Sequence, residues 1–307
     1  MGDGVGDGIV TTLRDLVELV RAPAALTVPG DTLAGAASAG WPAGARSAAL
    51  PVASTCLYWA GMALNDWADR HTDAIERPER PIPSGRVPAR TALAVATGLT
   101  VTGLAVAAAA GGRRSAGTAA VLAAAVWAYD LSPKQGPVSV ATMASTRGLD
   151  VLLGASAGGV RGLRAAAVPA TLVAVHTAGV TALSRGEVHG GSTGVARACV
   201  AATTLVAAAS ALRQVPAAGR GRAGGALGAA VSLALTGTYA VGVLRAQLAA
   251  ARTPDAGTVR RATGAGIRGL VPLQSAALAA TGHHAAALGL AASAPVGAAA
   301  MRRVSAT

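Results

Sequence analysis

The chain has 307 residues, of which 52% are hydrophobic and only 13% are charged, with a formal net charge of +12 at pH 7. A soluble domain carries about 25% charged residues, so the composition excludes an ordinary soluble domain, and its apolar content excludes a disordered chain. The basic residues lie in short connections between apolar runs, so we expect no nucleic-acid partner. The class predicted is a polytopic protein embedded in a lipid bilayer.

Ten apolar runs approach the length of about 20 residues that a bilayer core of about 30 Å requires. They fall at 16–39, 47–68, 88–110, 116–131, 138–160, 165–184, 195–213, 225–247, 262–281 and 285–301. Almost no loop separates the last two runs, so the pattern predicts nine membrane helices, with ten as the alternative. Glycines such as Gly154 predict close approach between neighbouring helices. No change of composition marks a domain boundary, so 1–307 is expected to form one all-α transmembrane domain.

Basic residues are distributed unequally between the two sets of connections. The set that includes residues 66–90 contains more arginine and lysine than the opposite set. By the positive-inside rule, the richer set lies in the cytoplasm. We therefore expect a multi-pass protein of the cell (plasma) membrane with the 66–90 connection on its cytoplasmic side.

The connection at 66–90 begins with polar side chains at helical spacing. Four oxygen-bearing side chains share one face at the end of the second predicted helix: Asn65, Asp66, Asp69 and Asp73. Carboxylates at this spacing repel one another, and the C-terminal end of a helix disfavours anions, so a positive group is expected beside them. Mg²⁺ takes oxygen ligands and is usually held by one or two carboxylates together with substrate phosphates. The cluster therefore predicts an incomplete metal site that a metal-bound diphosphate would complete.

Arginines follow the acidic residues in the same connection. Arg77, Arg80 and Arg86 lie within reach of the same helix end, and guanidinium groups match phosphate oxygens in bidentate pairs. Prolines between residues 78 and 83 prevent a helix from continuing and predict a stiff loop. The alternative is a solvated loop in which the acids and arginines only pair with each other. The helical spacing of the acids favours the phosphate-binding interpretation.

These residues form an extended motif. The pattern Asn65-Asp66-x-x-Asp69-x-x-x-Asp73, followed by Arg80-Pro81-Ile82-Pro83-Ser84-Gly85-Arg86, resembles the first aspartate-rich motif of the UbiA superfamily of intramembrane prenyltransferases. The resemblance extends to Arg21 and Pro23 near the first helix, to Tyr129 and Lys134 after the fourth, and to the helix layout of nearly the whole chain.

The resemblance implies a fold, a reaction and a set of site residues. The fold is an all-α bundle of about nine transmembrane helices around a central cavity. The reaction is Mg²⁺-dependent transfer of a prenyl group from a prenyl diphosphate donor to an acceptor, which the sequence leaves unidentified. By the resemblance Asn65, Asp66, Asp69 and Asp73 hold the metal, and the three aspartates are also candidate catalytic residues. The same resemblance implies substrate binding by Arg77, Arg80 and Lys134, to which we add Arg86 and Tyr129 as candidates.

A second aspartate-rich motif, usual in the family near the end of the sixth helix, is not matched. The stretch from His176 to His189 contains no aspartate, and Glu187 is its only carboxylate, close to Arg185. We predict that Arg185 and Glu187 contact substrate, with Glu187 and His189 as altered metal ligands in one interpretation. A solvated loop with one ion pair is the other interpretation, and it is favoured for His189 because Mg²⁺ prefers oxygen to imidazole.

Two charged residues lie inside the fifth predicted helix. Arg147 and Asp150 are three residues apart, and intramembrane charges are costly and often functional. We predict a catalytic role, with Arg147 near the diphosphate or acceptor and Asp150 orienting the acceptor, while a structural ion pair is the alternative. The segments 147–154 and 184–187 resemble an EboC-like bacterial branch of the superfamily.

Three functions remain open from the sequence. The first is prenyl transfer, in which the acceptor is either an aromatic ring or a hydroxyl group of a polyol or lipid. The second is non-catalytic lipid binding or transport by a protein that has lost its second metal site. The third is a membrane terpene cyclase, which would form its product without any acceptor.

Overall fold

The computed structural model describes residues 11–22, 25, 28–133, 136–213 and 223–293, and these residues contain helices and turns but no strand. The helices are α1 (Leu13–Leu19), α2 (Pro29–Ser38), α3 (Leu50–Ala68), α4 (Arg70–Glu76), α5 (Ala89–Leu131), α6 (Pro137–Ala155), α7 (Gly159–Ser184), α8 (Thr193–Leu212), α9 (Ala223–Arg252), α10 (Ala256–Ala279) and α11 (His284–Ser293). Short 3₁₀ segments at Gly44–Ala49 and Ser156–Gly158 precede α3 and α7. The all-α prediction is confirmed.

The first predicted helix, at 16–39, is not continuous. The structure divides it into α1 and α2, so this prediction was wrong. After α1 the backbone of Arg21 turns into the left-handed region with φ of 48°. Pro29 then occupies the first position of α2, where its missing N–H is tolerated, although it could not continue a preceding helix. The second helix therefore starts inside the bundle, and Asp31 lies in its first turn.

Helix α5 is a hairpin of two helices, as the two predicted runs at 88–110 and 116–131 require. Gly111 and Gly112 leave the helical conformation, and Gly112 has φ of 67°, which favours glycine. The indole N–H of Trp127 donates to the hydroxyl of Thr100 over 3.2 Å, although 27 residues separate them. A straight helix would hold these residues about 40 Å apart, so the two halves run antiparallel.

Helices α6 and α7 form a second hairpin, which turns at the 3₁₀ segment and at Gly159, where φ is 58°. A Cβ added to Gly148 in α6 would lie 3.3 Å from the carbonyl oxygen of Ala170 in α7, so the two helices pack closely. Gly148 and Ala170 are equally distant in sequence from Gly159 in the turn, so these helices also run antiparallel.

Close packing of α2 on α6 depends on two glycines. A Cβ at Gly35 would lie 1.8 Å from the carbonyl oxygen of Val151, and a Cβ at Gly154 would lie 1.9 Å from that of Thr32. No side chain fits in either space. The close approach predicted at Gly154 is confirmed, and it packs α2 against the C-terminal half of α6.

Five helical stretches among the described residues are long and apolar enough to cross a membrane. They are Gly44–Ala68, Ala89–Leu131, Pro137–Ser184, Thr193–Leu212 and Ala226–Arg252. The second and third of these are the two hairpins, so each contains two antiparallel helices. The expected total of nine membrane helices remains a prediction, and residues 294–301 of the last predicted run lie outside the described residues.

The hairpins define two ends of the bundle. We call the end where α3 and α5 finish the aspartate face, and the end where both hairpins turn the opposite face. Helices α7 and α9 also finish at the aspartate face, where the backbone N–H of Gly191 donates to the carbonyl of Pro254 over 2.8 Å. The candidate site lies at the aspartate face.

Candidate functional site

The acidic cluster lies where α3 passes into α4. The helical hydrogen bonds continue through the junction. The backbone N–H of Asp69 donates to the backbone carbonyl of Asn65 over 2.9 Å, and that of Asp73 donates to the backbone carbonyl of Asp69 over 2.8 Å. The helical spacing used in the sequence analysis is therefore maintained. Asp66 and Asp73 are each only 3% exposed, so two carboxylates are removed from solvent at this point.

Two arginines neutralise the buried carboxylates. Arg80 contacts Asp73 at 2.5 Å and Asp66 at 3.5 Å, and Arg21 donates to Asp66 at 2.8 Å. Arg77 is more distant, at 3.9 Å from Asp73, and its side chain is half exposed. The acids and arginines do pair with each other, as the alternative interpretation required, but they do so in a buried cluster and not in a solvated loop. We call Arg21, Asp66, Asp73 and Arg80 the paired cluster.

Arg86 lies in a different network, on the N-terminal helix. Its guanidinium contacts Asp15 at 2.7 Å and forms a bidentate pair with Glu18 at 2.7 and 2.8 Å. Hydrogen bonds from Thr12, followed by those from Arg86, lower the pKa of Asp15 to about 2. The two hydrogen bonds that Arg86 donates to Glu18 likewise lower the pKa of Glu18. Arg86 therefore holds α1 against the loop that carries Arg80, and its predicted contact with substrate remains a prediction.

A further carboxylate joins the site from α5. Asp130 is buried and accepts a hydrogen bond from the amide of Asn65 over 3.1 Å. Asp130 was not among the predicted site residues, although an acid next to Tyr129 at the end of an apolar run was a usable signal. Tyr129 lies within electrostatic range of Asp69 and Arg185. The structure thus brings Asn65, Asp69 and Tyr129 to the same end of the bundle.

The stretch after α7 contributes less to this cluster. Arg185 donates to the carbonyl of Gly136 and, over 2.9 Å, to the hydroxyl of Ser139, so it ties α7 to the start of α6. Glu187 is half-buried, and its carboxylate makes no hydrogen bond or ion pair with any residue that the structure describes. Lys134 lies outside the described residues. The substrate contacts predicted for these three residues remain predictions.

The donor set fits Mg²⁺ in its chemistry. Asn65, Asp66, Asp69 and Asp73 offer only oxygen ligands at one helix end, which is the ligand type that Mg²⁺ prefers. Within the described part of the chain, however, no three histidine, cysteine or acidic side chains are grouped closely enough to hold a metal by themselves. This combination suits an ion that binds through one or two carboxylates and completes its shell with phosphate oxygens.

A second polar cluster lies deeper in the bundle. Arg147 of α6 pairs with Asp31 of α2 at 2.9 Å, and Asp31 is fully buried. The amide of Gln274 in α10 donates to Asp31 over 2.6 Å. The positive end of the α2 dipole also favours a carboxylate in its first turn. Gln274 was not found in the sequence analysis, because a single amide in an apolar run gives no periodic signal.

Asp150 extends the deeper cluster toward α3. Its Oδ2 accepts a hydrogen bond from Ser54 over 2.7 Å, and its Oδ1 is buried without a hydrogen-bond partner among the described residues. Ser54 lies 12 residues before Asp66 in α3, which corresponds to about 18 Å along the helix axis. Asp150 is thus well separated from Asp66 along α3, while Tyr58 lies within electrostatic range of both Arg147 and Arg21.

His176 is a structural residue in this bundle. Its Nε2 donates to the carbonyl of Gly266, which leaves Nδ1 to accept from the hydroxyl of Tyr239, both over 2.9 Å. These bonds join α7 to α9 and α10 in a buried position. Both ring nitrogens are occupied, so the imidazole has no free position for a metal.

Comparison with known proteins gives a family match and local relatives. The model of the UbiA prenyltransferase family matches residues 25–256. The chain is 44% identical over 88 residues to the digeranylgeranylglyceryl phosphate synthase of Natronomonas pharaonis, which covers 28% of this chain and 32% of that protein. It is 49% identical over 72 residues to the bacteriochlorophyll synthase 33 kDa chain of Cereibacter sphaeroides, covering 23% of each chain. The matched segments thus span a third or less of these curated relatives.

Two solved structures share the fold. The apo structure of a UbiA homolog from Aeropyrum pernix K1 superposes with a TM-score of 0.64 at 19% identity, covering 82% of this chain and 96% of that one. A structure of digeranylgeranylglyceryl phosphate synthase in membranes gives a TM-score of 0.56 at 15% identity, covering 88% of this chain and 98% of that one. At these identities the likeness establishes the helical architecture over most of both chains.

Proposed function

The chain belongs to the UbiA prenyltransferase family, and from that membership we propose that it transfers a prenyl group from a prenyl diphosphate to an acceptor. The observation that carries the proposal is the paired cluster, in which Arg80 bridges two buried carboxylates at the aspartate face. Burying two acids is costly unless charged partners stay beside them. A cluster that joins arginines to oxygen ligands offers both halves of a site for a metal diphosphate.

Each half of the cluster has a distinct role in this proposal. Asn65, Asp66, Asp69 and Asp73 would hold Mg²⁺, which supplies a Lewis acid that neutralises diphosphate charge. Arg80 and Arg77 would exchange their carboxylate contacts for phosphate oxygens, with Lys134 and Arg185 as further candidates. Guanidinium groups that are already positioned stabilise the negative charge that develops on the leaving diphosphate, which is the largest contribution expected for this chemistry.

The deeper cluster is assigned to the acceptor side of the reaction. The supporting observation is that Ser54, which donates to Asp150, lies about 18 Å along α3 from Asp66, and that Arg147 pairs with Asp31 in the same deeper cluster. Asp150 Oδ1 has the free lone pairs to accept a hydrogen bond from an acceptor group. The apolar surroundings exclude water, which would otherwise compete with the acceptor for the prenyl group.

The acceptor class is a finer proposal. Two relatives are named for products as different as a glyceryl phosphate and bacteriochlorophyll, so membership of the family does not specify the acceptor. Aromatic residues form only 2% of this chain, and phenylalanine is absent. Few side chains are therefore present to stack on a flat ring, which favours the hydroxyl group of a polyol or lipid as acceptor.

The apolar stretches support a location in a membrane, and we further propose that this is the cell membrane with the aspartate face toward the cytoplasm. The excess of arginine in the connections of that face is the supporting observation. Labelling of a cysteine introduced at Ser84, in a chain whose Cys56 and Cys199 are replaced by alanine, tests the orientation in intact cells and in inverted vesicles. Labelling only in inverted vesicles is expected, and labelling in intact cells would contradict it.

The activity is tested with isotope-labelled prenyl diphosphates of 10 to 20 carbons, incubated with purified protein, Mg²⁺ and a lipid extract. We expect label in a product that contains both the prenyl group and an extract component. A labelled hydrocarbon formed without extract would indicate a cyclase instead. Binding of the diphosphate with no release under any condition would favour lipid binding or transport. Glu187 supports that alternative, because its carboxylate pairs with no residue in the part of the chain that the structure describes.

A further inference from the structure

Two adjoining apolar grooves run along the outside of the bundle near the opposite face. They lie between the second half of α5, α6 and α7 and are open to the surroundings of the bundle. The residues common to both grooves are all apolar: Leu149, Leu152, Val160 and Leu163. Because these helices are long and apolar enough to cross a membrane, the grooves face the region that lipid chains occupy.

Arginines line the rim of these grooves. Arg113 and Arg114 follow the turn of the α5 hairpin, and Arg164 lies on the second turn of α7. All three side chains are exposed. The guanidinium of Arg114 reaches across to α7, since a Cβ added to Gly159 would lie 2.8 Å from one of its nitrogens. Arg164 lies about 8 Å along α7 from Gly159, a depth from which an arginine extends its charge to the membrane surface.

No acidic residue accompanies these arginines. The connections of the opposite face, at 39–49, 111–115, 156–164 and 213–222, contain several arginines and neither aspartate nor glutamate. The aspartate face differs, because there Arg21, Arg80 and Arg86 are each paired with carboxylates. No acid in these connections compensates the positive charge at the grooves, which is therefore available to an anion from outside.

We propose that this groove is a binding site for an anionic phospholipid. One acyl chain lies along the apolar wall formed by Leu149, Leu152 and Leu163, and the phosphate is held by Arg113, Arg114 and Arg164. Guanidinium groups pair with phosphate in bidentate fashion, and basic pockets between membrane helices suit anionic headgroups. A soluble anion would use the arginines but not the apolar wall, so the combination favours a lipid. The inference does not depend on prenyl transfer.

The test compares lipids that differ only in headgroup. The thermal unfolding of the full-length protein in a neutral detergent is titrated with dioleoyl phosphatidylglycerol, with dioleoyl phosphatidylcholine, and with inorganic phosphate. We expect phosphatidylglycerol to bind at least tenfold more tightly than the other two. Replacing the three rim arginines with glutamine (R113Q, R114Q and R164Q) should weaken its binding by roughly fivefold per arginine, whereas lysine at all three positions should retain most of it.

A charge-matched variant separates this site from general electrostatic attraction. Arg90, Arg197 and Arg245 are exposed near the aspartate face and line neither groove, so R90Q, R197Q and R245Q remove the same charge elsewhere. We expect this variant to bind phosphatidylglycerol like the wild type. Equal binding of the two lipids by the wild type, equal stabilisation by inorganic phosphate, or equal losses in the two glutamine variants would overturn the proposal. If the rim glutamine variant does not fold, the headgroup comparison and the lysine variant still decide.

Discussion

Replacement of Arg80 by glutamine tests how the site at the aspartate face is held together. Arg80 is the only arginine of the paired cluster that contacts both Asp66 and Asp73, at 3.5 and 2.5 Å, and its side chain is 18% exposed. Breaking a buried ion pair costs about 3–5 kcal/mol. Here Arg21 still pairs with Asp66 and Arg77 lies near Asp73. We therefore expect a lower cost, about 2–3 kcal/mol of unfolding free energy.

The same substitution should also weaken diphosphate binding, by a free energy comparable with the loss of stability. A hydrogen bond to a charged group contributes about 1.5–3 kcal/mol, so loss of Arg80 should raise the Kd of an Mg²⁺–farnesyl diphosphate complex roughly 10- to 100-fold. Thermal unfolding in detergent measures the first effect, and isothermal titration calorimetry measures the second.

Arg70, the first residue of α4, provides a matched control. Its guanidinium donates to the carbonyl of Trp67 over 2.7 Å and lies 4.7 Å from the centre of the Trp67 ring, with no carboxylate contact among the described residues. R70Q should lose roughly 1 kcal/mol of stability and bind the diphosphate like the wild type. Unchanged diphosphate affinity in R80Q, or equal losses in R80Q and R70Q, would refute the reasoning.

Three further predictions concern the rest of the bundle. R147M should lower the free energy of unfolding by about 3–5 kcal/mol, because it leaves Asp31 buried without its cation. Adding D31N should recover part of that loss, which a double-mutant cycle measured by thermal unfolding would show. The pKa of Asp15 is lowered to about 2. The contribution of the Asp15 carboxylate to stability should therefore be complete above about pH 4 and be lost as the pH falls toward 2. If Tm depended on pH in the same way in D15N and in the wild type, this prediction would be contradicted. G154A should lower the free energy of unfolding by more than about 2 kcal/mol, since the added Cβ would meet the carbonyl of Thr32. G117A is the control: its Cβ would meet no atom within 4 Å, so it should be neutral or slightly stabilising in the same assay.

Local periodicity made the acidic cluster predictable from the sequence. Asn65, Asp69 and Asp73 lie four residues apart, and the helical hydrogen bonds continue through the α3–α4 junction, so one face carries them all. The apolar runs on both sides of Gly111 were also predictable, because a bilayer requires a minimum length of apolar helix. Both results depend on residues that are close in sequence.

Contacts between distant segments were not predictable in the same way. Arg86 follows the phosphate-binding pattern in sequence but pairs with Glu18, which lies 68 residues away on a helix of only seven residues. Asp130 meets Asn65 only because the α5 hairpin returns to the aspartate face. Gln274 meets Asp31 across 243 residues. Such partners depend on how the helices pack, and the sequence of one segment alone does not specify that packing.

The central claim is that the carboxylates at the aspartate face promote departure of diphosphate from a prenyl diphosphate. The most direct measurement is the initial rate of Mg²⁺-dependent diphosphate release by wild type and D66N, with lipid extract present. D255N is the control, because Asp255 caps α10 outside the paired cluster and asparagine caps a helix equally well. We predict a loss of roughly 100-fold or more in D66N and none in D255N. Release by D66N at the wild-type rate, or release that needs no Mg²⁺, would contradict the account.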